Sequence, residues 1–299
     1  MKFTYHLLNV FGRESDPFSG NPLCVVECVV EPGPVISDAQ MQAIARQFNL
    51  SETVFLGESD AGNAADADVR IFTPESELPF AGHPTLGTAF LVARLRGALG
   101  MDPEIRLRMK AGIIPVQIAG NLCTLTAKAP VSRLPYADDA AFAAAFGLNP
   151  ADLGTDVLPT GTVCKPLWIH TGTAQLIVPV KTEEAVRRAT PDYARLAAVS
   201  GGHANVHTLL FHMTSTHKIT ARFFFAVQGA LREDPATGSA CANLGGWLLA
   251  HGGTVPFSGE VSQGEAVHRP STLHLNIDAQ RLIRVGGSVR YLGKGEMQL

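Results

Sequence analysis

The chain has 299 residues, with 24 Lys and Arg against 27 Asp and Glu and a formal net charge of −3 at neutral pH. Hydrophobic residues make up 46% of it and charged residues 17%, below the roughly 25% of an average soluble domain. That balance excludes an intrinsically disordered chain, which needs low hydrophobicity and high charge, and it lacks the basic surplus of a nucleic-acid binder.

The first segment, Phe3 to Phe11, reads as a strand. It has neither the apolar stretch nor the small-residue cleavage site of a signal peptide. Gly12 to Asn21 is a polar turn region, Pro22 to Val26 a second strand, and Pro32, Gly33 and Pro34 break the chain. Ser37 caps a helix predicted to run to about Phe48, because Met41, Ile44, Ala45 and Phe48 fall on one face; Asn49 ends it. A strand follows from Glu52 to Leu56, then a loop from Asp60 to Asp66 and a strand from Val69 to Thr73. After Gly82, His83 and Pro84 comes a long apolar helix containing Leu86, Ala89, Phe90, Ala93 and Leu95, ended by Gly97 to Gly100. Pro84 suits a first turn, where its missing N–H has no intrahelical partner anyway.

Short strands continue through Lys128, and Asp138 to Phe146 is an Ala-rich helix stopped by Gly147. Two more helices are predicted at Thr182 to Arg188 and Pro191 to Val199. Strands are predicted at Leu167 to His170, Gln175 to Val180, Thr208 to His212 and Arg222 to Phe225. A second apolar helix spans Ala240 to His251, with Leu244, Trp247 and Leu248 on a core face and Gly252 and Gly253 as its stop. A strand ending near Val285 precedes Gly286 and Gly287. The longest apolar stretches are interrupted by charges such as Arg94 and Arg96, so no membrane span is expected. The five cysteines, Cys24, Cys28, Cys123, Cys164 and Cys241, mostly stand beside apolar residues. They read as small buried side chains in a reducing compartment. The expectation is a cytoplasmic globular protein of about two domains.

The two halves echo each other. Arg70-Ile71-Phe72 leads to Phe80-Ala81-Gly82-His83 and an apolar helix; Arg222-Phe223-Phe224 leads to Ala236-Thr237-Gly238-Ser239 and another. Each helix start carries a glycine, which lets backbone approach a ligand, and a helix N-terminus presents free N–H groups to an anion. Titratable residues stand beside these starts. They are His83, Asp234 four residues before Gly238, and Glu52, where an apolar strand leaves a helix. A desolvated carboxyl suits proton transfer. Taken singly, Glu52 also reads as a solvated strand end, His83 as a satisfied core residue and Asp234 as a turn acid before Pro235.

Taken together, the blocks Phe18-Ser19-Gly20-Asn21-Pro22-Leu23, Asn49-Leu50-Ser51-Glu52-Thr53, Arg70-Ile71-Phe72-Thr73-Pro74, Glu77 to Pro84, Glu233 to Ala240, Gln263-Gly264 and Arg269-Pro270-Ser271 are similar to the PhzF family of phenazine biosynthesis-like proteins. The resemblance covers nearly the whole chain. It implies an α+β, diaminopimelate epimerase-like fold of two pseudo-symmetric halves. Each is a mostly antiparallel sheet wrapped round a central helix, with the active site in the cleft between them. The halves are expected at residues 1–128, with 286–299 returning to the first, and at 129–285. The resemblance further implies a homodimer and a cofactor-independent isomerase that moves a proton at carbon on a small carboxylate-bearing metabolite, without metal. It makes Glu52 the general acid/base, with His83 and Asp234 lining the site. Asn21, Gly82, Gly238 and Ser239 would bind substrate.

Racemases of similar fold place a cysteine at each helix start. Here Ala81, and Pro235 with Ala236, stand at those places, and Cys241 lies further inside its helix. One base rather than two opposed thiols points to an isomerisation such as a double-bond shift. The alternatives are a binding protein that kept the site without catalysis, and a racemase or epimerase. His203 and His207 have i,i+4 spacing but lack the Glu of a zinc-protease helix, and no G-x-G-x-x-G opens a helix after Val285.

Overall fold

A computed structural model describes residues 2–28, 36–59, 64–135, 137–158, 164–201, 206–227 and 229–299. The expected break at Pro32 to Pro34, and positions 60–63 of the expected loop, lie outside them. In chain order the elements are β1 (Lys2–Val10), β2 (Asn21–Glu27), α1 (Asp38–Phe48), β3 (Thr53–Glu58), β4 (Ala67–Phe72), β5 (Glu77–Leu78), α2 (Gly82–Leu95), β6 (Glu104–Met109), β7 (Gly112–Ala119) and β8 (Leu122–Thr126). They continue with β9 (Val131–Arg133), α3 (Asp139–Ala145), β10 (Leu167–His170), β11 (Ala174–Pro179), α4 (Glu183–Arg188), α5 (Tyr193–Val199), β12 (Thr208–Ser215), β13 (Lys218–Val227) and β14 (Ala230–Asp234). The last are α6 (Gly238–Ala250), β15 (Phe257–Gln263), β16 (Ser271–Ile277) and β17 (Ile283–Gln298). The chain divides into two compact units, Met1–Thr126 with Gly286–Leu299, and Ala127–Val285.

In the first unit, neighbouring strands pair in the order β1, β2, β3, β4, β6, β7, β8, β17 and back to β1, a closed ring. The β2–β3 and β4–β6 pairs are parallel. The ring surrounds α2, whose residues from His83 to Ala93 are all buried and which packs on β1, β2, β3, β6, β7 and β8. Such a helix is apolar on every side because it has no solvent face. Gly87 lets it approach the wall: a Cβ there would lie 2.5 Å from Leu23 Cδ2 and 2.9 Å from Val10 Cγ2. On the outside, α1 matches its predicted limits. Ser37 and Gln40 form a capping box, and Asn49 ends the helix in the left-handed conformation at φ 51°.

The strand expected to end near Val285 instead runs on to Gln298. A Cβ at Gly286 would meet Thr124 Oγ1 at 2.5 Å and the Cys123 carbonyl at 2.7 Å. The glycine therefore marks a close approach of β17 to its neighbour, not a strand end.

In the second unit β9 pairs with β10, β10 with β11, β11 with β12, β12 with β13, β13 with β14 and β15, and β15 with β16. Helix α6 packs on β9, β10, β11 and β16, and its residues from Ala240 to Leu249 are buried. It begins at Gly238, two residues before its predicted start, so Ser239 stands in its first turn.

One side-chain arrangement occurs in each unit. Arg70 on β4 forks onto Glu77 of β5 through Nε (2.9 Å) and Nη2 (2.8 Å), and its guanidinium lies 5.1 Å from the Phe72 ring centroid. Arg222 on β13 forks onto Glu233 of β14 at 3.1 and 2.7 Å, with its guanidinium 4.9 Å from the Phe224 ring. Paired N–H donors on one carboxylate fix orientation as well as distance. Each fork therefore ties down the short strand that leads into a central helix. Among the described residues no helix is long and apolar enough to cross a membrane.

Candidate active site

The β2–β3 register sets Cys24 beside Thr53. Asn21 and Pro22, at the start of β2, therefore sit at the same end of the ring as Glu52, which immediately precedes β3. The first turn of α2 opens there too: His83 Nδ1 lies 3.5 Å from Glu52 Oε2, and the ring hydrogen-bonds the Pro22 carbonyl. The Asn21 side chain is buried, Glu52 is 17% exposed and His83 only 5%. Thus Asn21, Glu52, Gly82 and His83 occupy one end of one unit, although they come from three separate segments.

Burial pushes the His83 imidazole down to about 3, so the ring is neutral at pH 7. It stands beside Glu52 as an uncharged hydrogen-bonding group, not as a cation. The unfolded chain protonates this histidine near its ordinary value of 6.5, whereas the folded chain resists until about 3. Its contribution to stability is therefore complete above pH 6.5 and declines as the pH falls toward 3. In urea titrations at pH 7 and pH 5, His83→Gln should remove up to about 1.4 kcal/mol per pH unit of wild-type acid sensitivity, the limit for one proton. Equal acid sensitivity in the two proteins would contradict a neutral buried His83.

In the second unit, Asp234 is the last residue of β14, not a free turn acid. Its Oδ2 accepts the Thr237 hydroxyl at 2.5 Å, and its backbone carbonyl accepts Gln263 Nε2 at 2.8 Å. Gln263 also donates to Thr237 Oγ1 at 3.1 Å and accepts from the Thr237 N–H at 3.3 Å. Gly264, at φ +85°, passes so close to this turn that a Cβ would lie 2.5 Å from the Pro235 carbonyl oxygen. These bonds hold the turn that delivers Gly238 and Ser239 to the head of α6.

The helix starts differ in one respect. Helices α1, α3, α4 and α5 each carry a side-chain cap, from Ser37, Asp138, Thr182 and Asp192. The two central helices do not: Ala81 precedes α2, and Thr237, a good capping residue by type, donates its hydroxyl to Asp234 instead. A side-chain cap occupies the position an anionic ligand takes at a helix N-terminus.

Neither Gln175 nor Asn243 stands out in the sequence reading, and Gln263 enters it only within the Gln263-Gly264 block, though all three are buried. Asn243 and Gln175 stand inside apolar runs, Ala242-Asn243-Leu244 and Ala174-Gln175-Leu176. A polar side chain within such a run is the signal that was available. Cys241 is 2% exposed, and burial pushes its thiol up, opposite to what a catalytic thiolate needs. Cys24, Cys123 and Cys164 are also buried, Cys28 is half-buried, and none of the five cysteines forms a disulfide. His203 lies outside the described residues. Among those described, no group of three His, Cys, Asp or Glu is placed to hold a metal ion.

Comparison with known proteins gives a consistent result. Residues 8–295 match the family model described as phenazine biosynthesis-like protein. An uncharacterized isomerase of Pasteurella multocida is 35% identical over 99% of this chain and 94% of its own length. The trans-2,3-dihydro-3-hydroxyanthranilate isomerase of Pseudomonas fluorescens is 30% identical over 99% of each chain. The crystal structure of a PhzF-family phenazine biosynthesis protein from Bacillus anthracis superposes with a TM-score of 0.80 at 25% identity, covering 100% of both chains.

Proposed function

The chain belongs to the phenazine biosynthesis-like protein family and is an isomerase, and on that premise we propose that it moves a proton at carbon on a small carboxylate-bearing metabolite, with Glu52 as the general acid/base. In this reading the two units are pseudo-symmetric halves of a cytoplasmic homodimer's protomer, each built on one central helix. The observation that carries it is the pair of uncapped central helices. Gly82 and Gly238 open them, and Glu52 and His83 meet at the head of the first.

The chemistry follows from these parts. A proton on carbon next to an unsaturated acid is only weakly acidic, and removing it leaves charge spread over the π system. Backbone N–H groups at Gly82 and Gly238, with the Ser239 hydroxyl, would bind the substrate's polar groups and offset that charge as it develops. Glu52 takes the proton and returns it to another carbon of the same π system. A single base keeps the transfer on one face. Neutral His83 would orient Glu52 and hydrogen-bond the substrate without adding charge, and Asp234 would hold the turn that carries Ser239.

The acid named for the Pseudomonas relative, trans-2,3-dihydro-3-hydroxyanthranilate, is the first compound to test. Its name specifies a carboxylate on a ring with two saturated carbons beside the remaining double bonds. Incubated with the protein in deuterium oxide, it should give an isomer one mass unit heavier. Absence of both isomerisation and exchange with this acid and with a panel of other unsaturated small carboxylates would refute the proposal and favour a binding protein.

A further inference from the structure

Behind Ser239 lies a chain of buried amides whose direction is fixed at its far end. The Thr171 N–H and hydroxyl both donate to Asn243 Oδ1, at 2.9 and 2.7 Å, and Asn243 Nδ2 donates to the Thr173 carbonyl at 2.9 Å. A backbone N–H only donates and a backbone carbonyl only accepts, so Asn243 has one allowed amide orientation. Its second Nδ2 proton goes to Gln175 Oε1 at 2.7 Å, which fixes Gln175 in turn. Gln175 must then present Nε2 to Ser239 Oγ, at 2.9 Å. Asn243 is fully buried and Gln175 is 2% exposed, so water does not compete for these bonds.

We infer that Gln175 is a positioning residue that makes Ser239 a hydrogen-bond donor toward the substrate's anionic group. By donating to Ser239 Oγ it takes up an acceptor lone pair there and leaves the serine's own proton to be directed away from the amide chain. A hydroxyl is otherwise free to accept or to donate. This device selects an acceptor-only ligand such as a carboxylate over an amide N–H or an ammonium. It rests on the assignment of Ser239 to substrate binding given above.

Two experiments test it. Neutron diffraction from deuterium-exchanged crystals should place the Gln175 Nε2 deuterons toward Ser239 Oγ and the Ser239 deuteron away from Gln175. A serine deuteron aimed at Gln175 would overturn the inference whatever the substrate is. Kinetics with trans-2,3-dihydro-3-hydroxyanthranilate then separate positioning from structure. Gln175→Glu keeps the shape and the bond from Asn243 but forces Ser239 to donate inward. It should raise KM about 100-fold and change kcat less than about three-fold, as expected for a lost charge-assisted hydrogen bond. Gln175→Leu should raise KM about ten-fold in the wild-type background and leave it unchanged in a Ser239→Ala background. An equal rise in both backgrounds would show a merely structural role and overturn the inference. If the wild type neither turns over nor binds small carboxylates, the functional reading fails, and the neutron map alone decides whether Gln175 sets the direction of Ser239.

Discussion

Glu52→Gln should lower turnover by about 10²- to 10⁴-fold, the usual contribution of a positioned general base. The amide keeps the shape and much of the hydrogen bonding of the carboxyl, so the fold and substrate affinity should survive. What it loses is the ability to take a proton from carbon and give it back. Wild type and variant are compared by deuterium incorporation and by kcat, with circular dichroism as the check on folding. The effect should appear in kcat and in exchange together, because the proposed mechanism gives both steps to one group. Exchange at the wild-type rate in Glu52→Gln would remove Glu52 as the base. His83→Gln should cost less, since His83 is neutral and acts beside Glu52, 3.5 Å away.

The largest expected loss of stability is at Trp247. Its side chain is fully buried, its ring meets Phe211 edge-on at 5.0 Å between centroids, and its Nε1 donates to the Lys165 carbonyl at 2.9 Å. Trp247→Ala should cost about 3–5 kcal/mol through the cavity and the lost transfer energy. About 1 kcal/mol more follows from leaving the Lys165 carbonyl without this donor. Trp247→Phe keeps part of the volume and should cost less than half as much. Urea denaturation followed by circular dichroism measures both. A Trp247→Ala loss below about 1 kcal/mol would mean that α6 is not the packing centre of its unit.

Much of the architecture was legible in the chain because its signals are local. Ser37, the Met41–Ile44–Ala45 spacing and Asn49 defined α1 at both ends, since capping and periodicity act within a few residues. The apolar runs from Leu86 and from Leu244 identified two central helices, since a helix without a polar face has to be enclosed. The failures were non-local. The Gly286-Gly287 pair reads as a strand end in the sequence, but Gly286 is where Thr124 and Cys123 press against β17, which runs on to Gln298. The head of α6 was placed too late because Gly238 and Ser239 are poor helix formers, held in the helix by the Asp234–Thr237–Gln263 bonds.

For the site, the sequence by itself determined the chemical types: one candidate base at Glu52, two glycine-led helix starts and no thiol beside either. Low charge and ample glycine already agreed with enclosed helices and a site using few ionisable groups. Only the tertiary structure decided how those groups behave. It brought His83 to Glu52 and buried it deeply enough to stay neutral, turned Thr237 from cap to hydroxyl donor, and fixed the direction of the amide chain behind Ser239. Protonation state and hydrogen-bond direction depend on desolvation and on partners 60 to 70 residues away along the chain, which residue order does not encode locally.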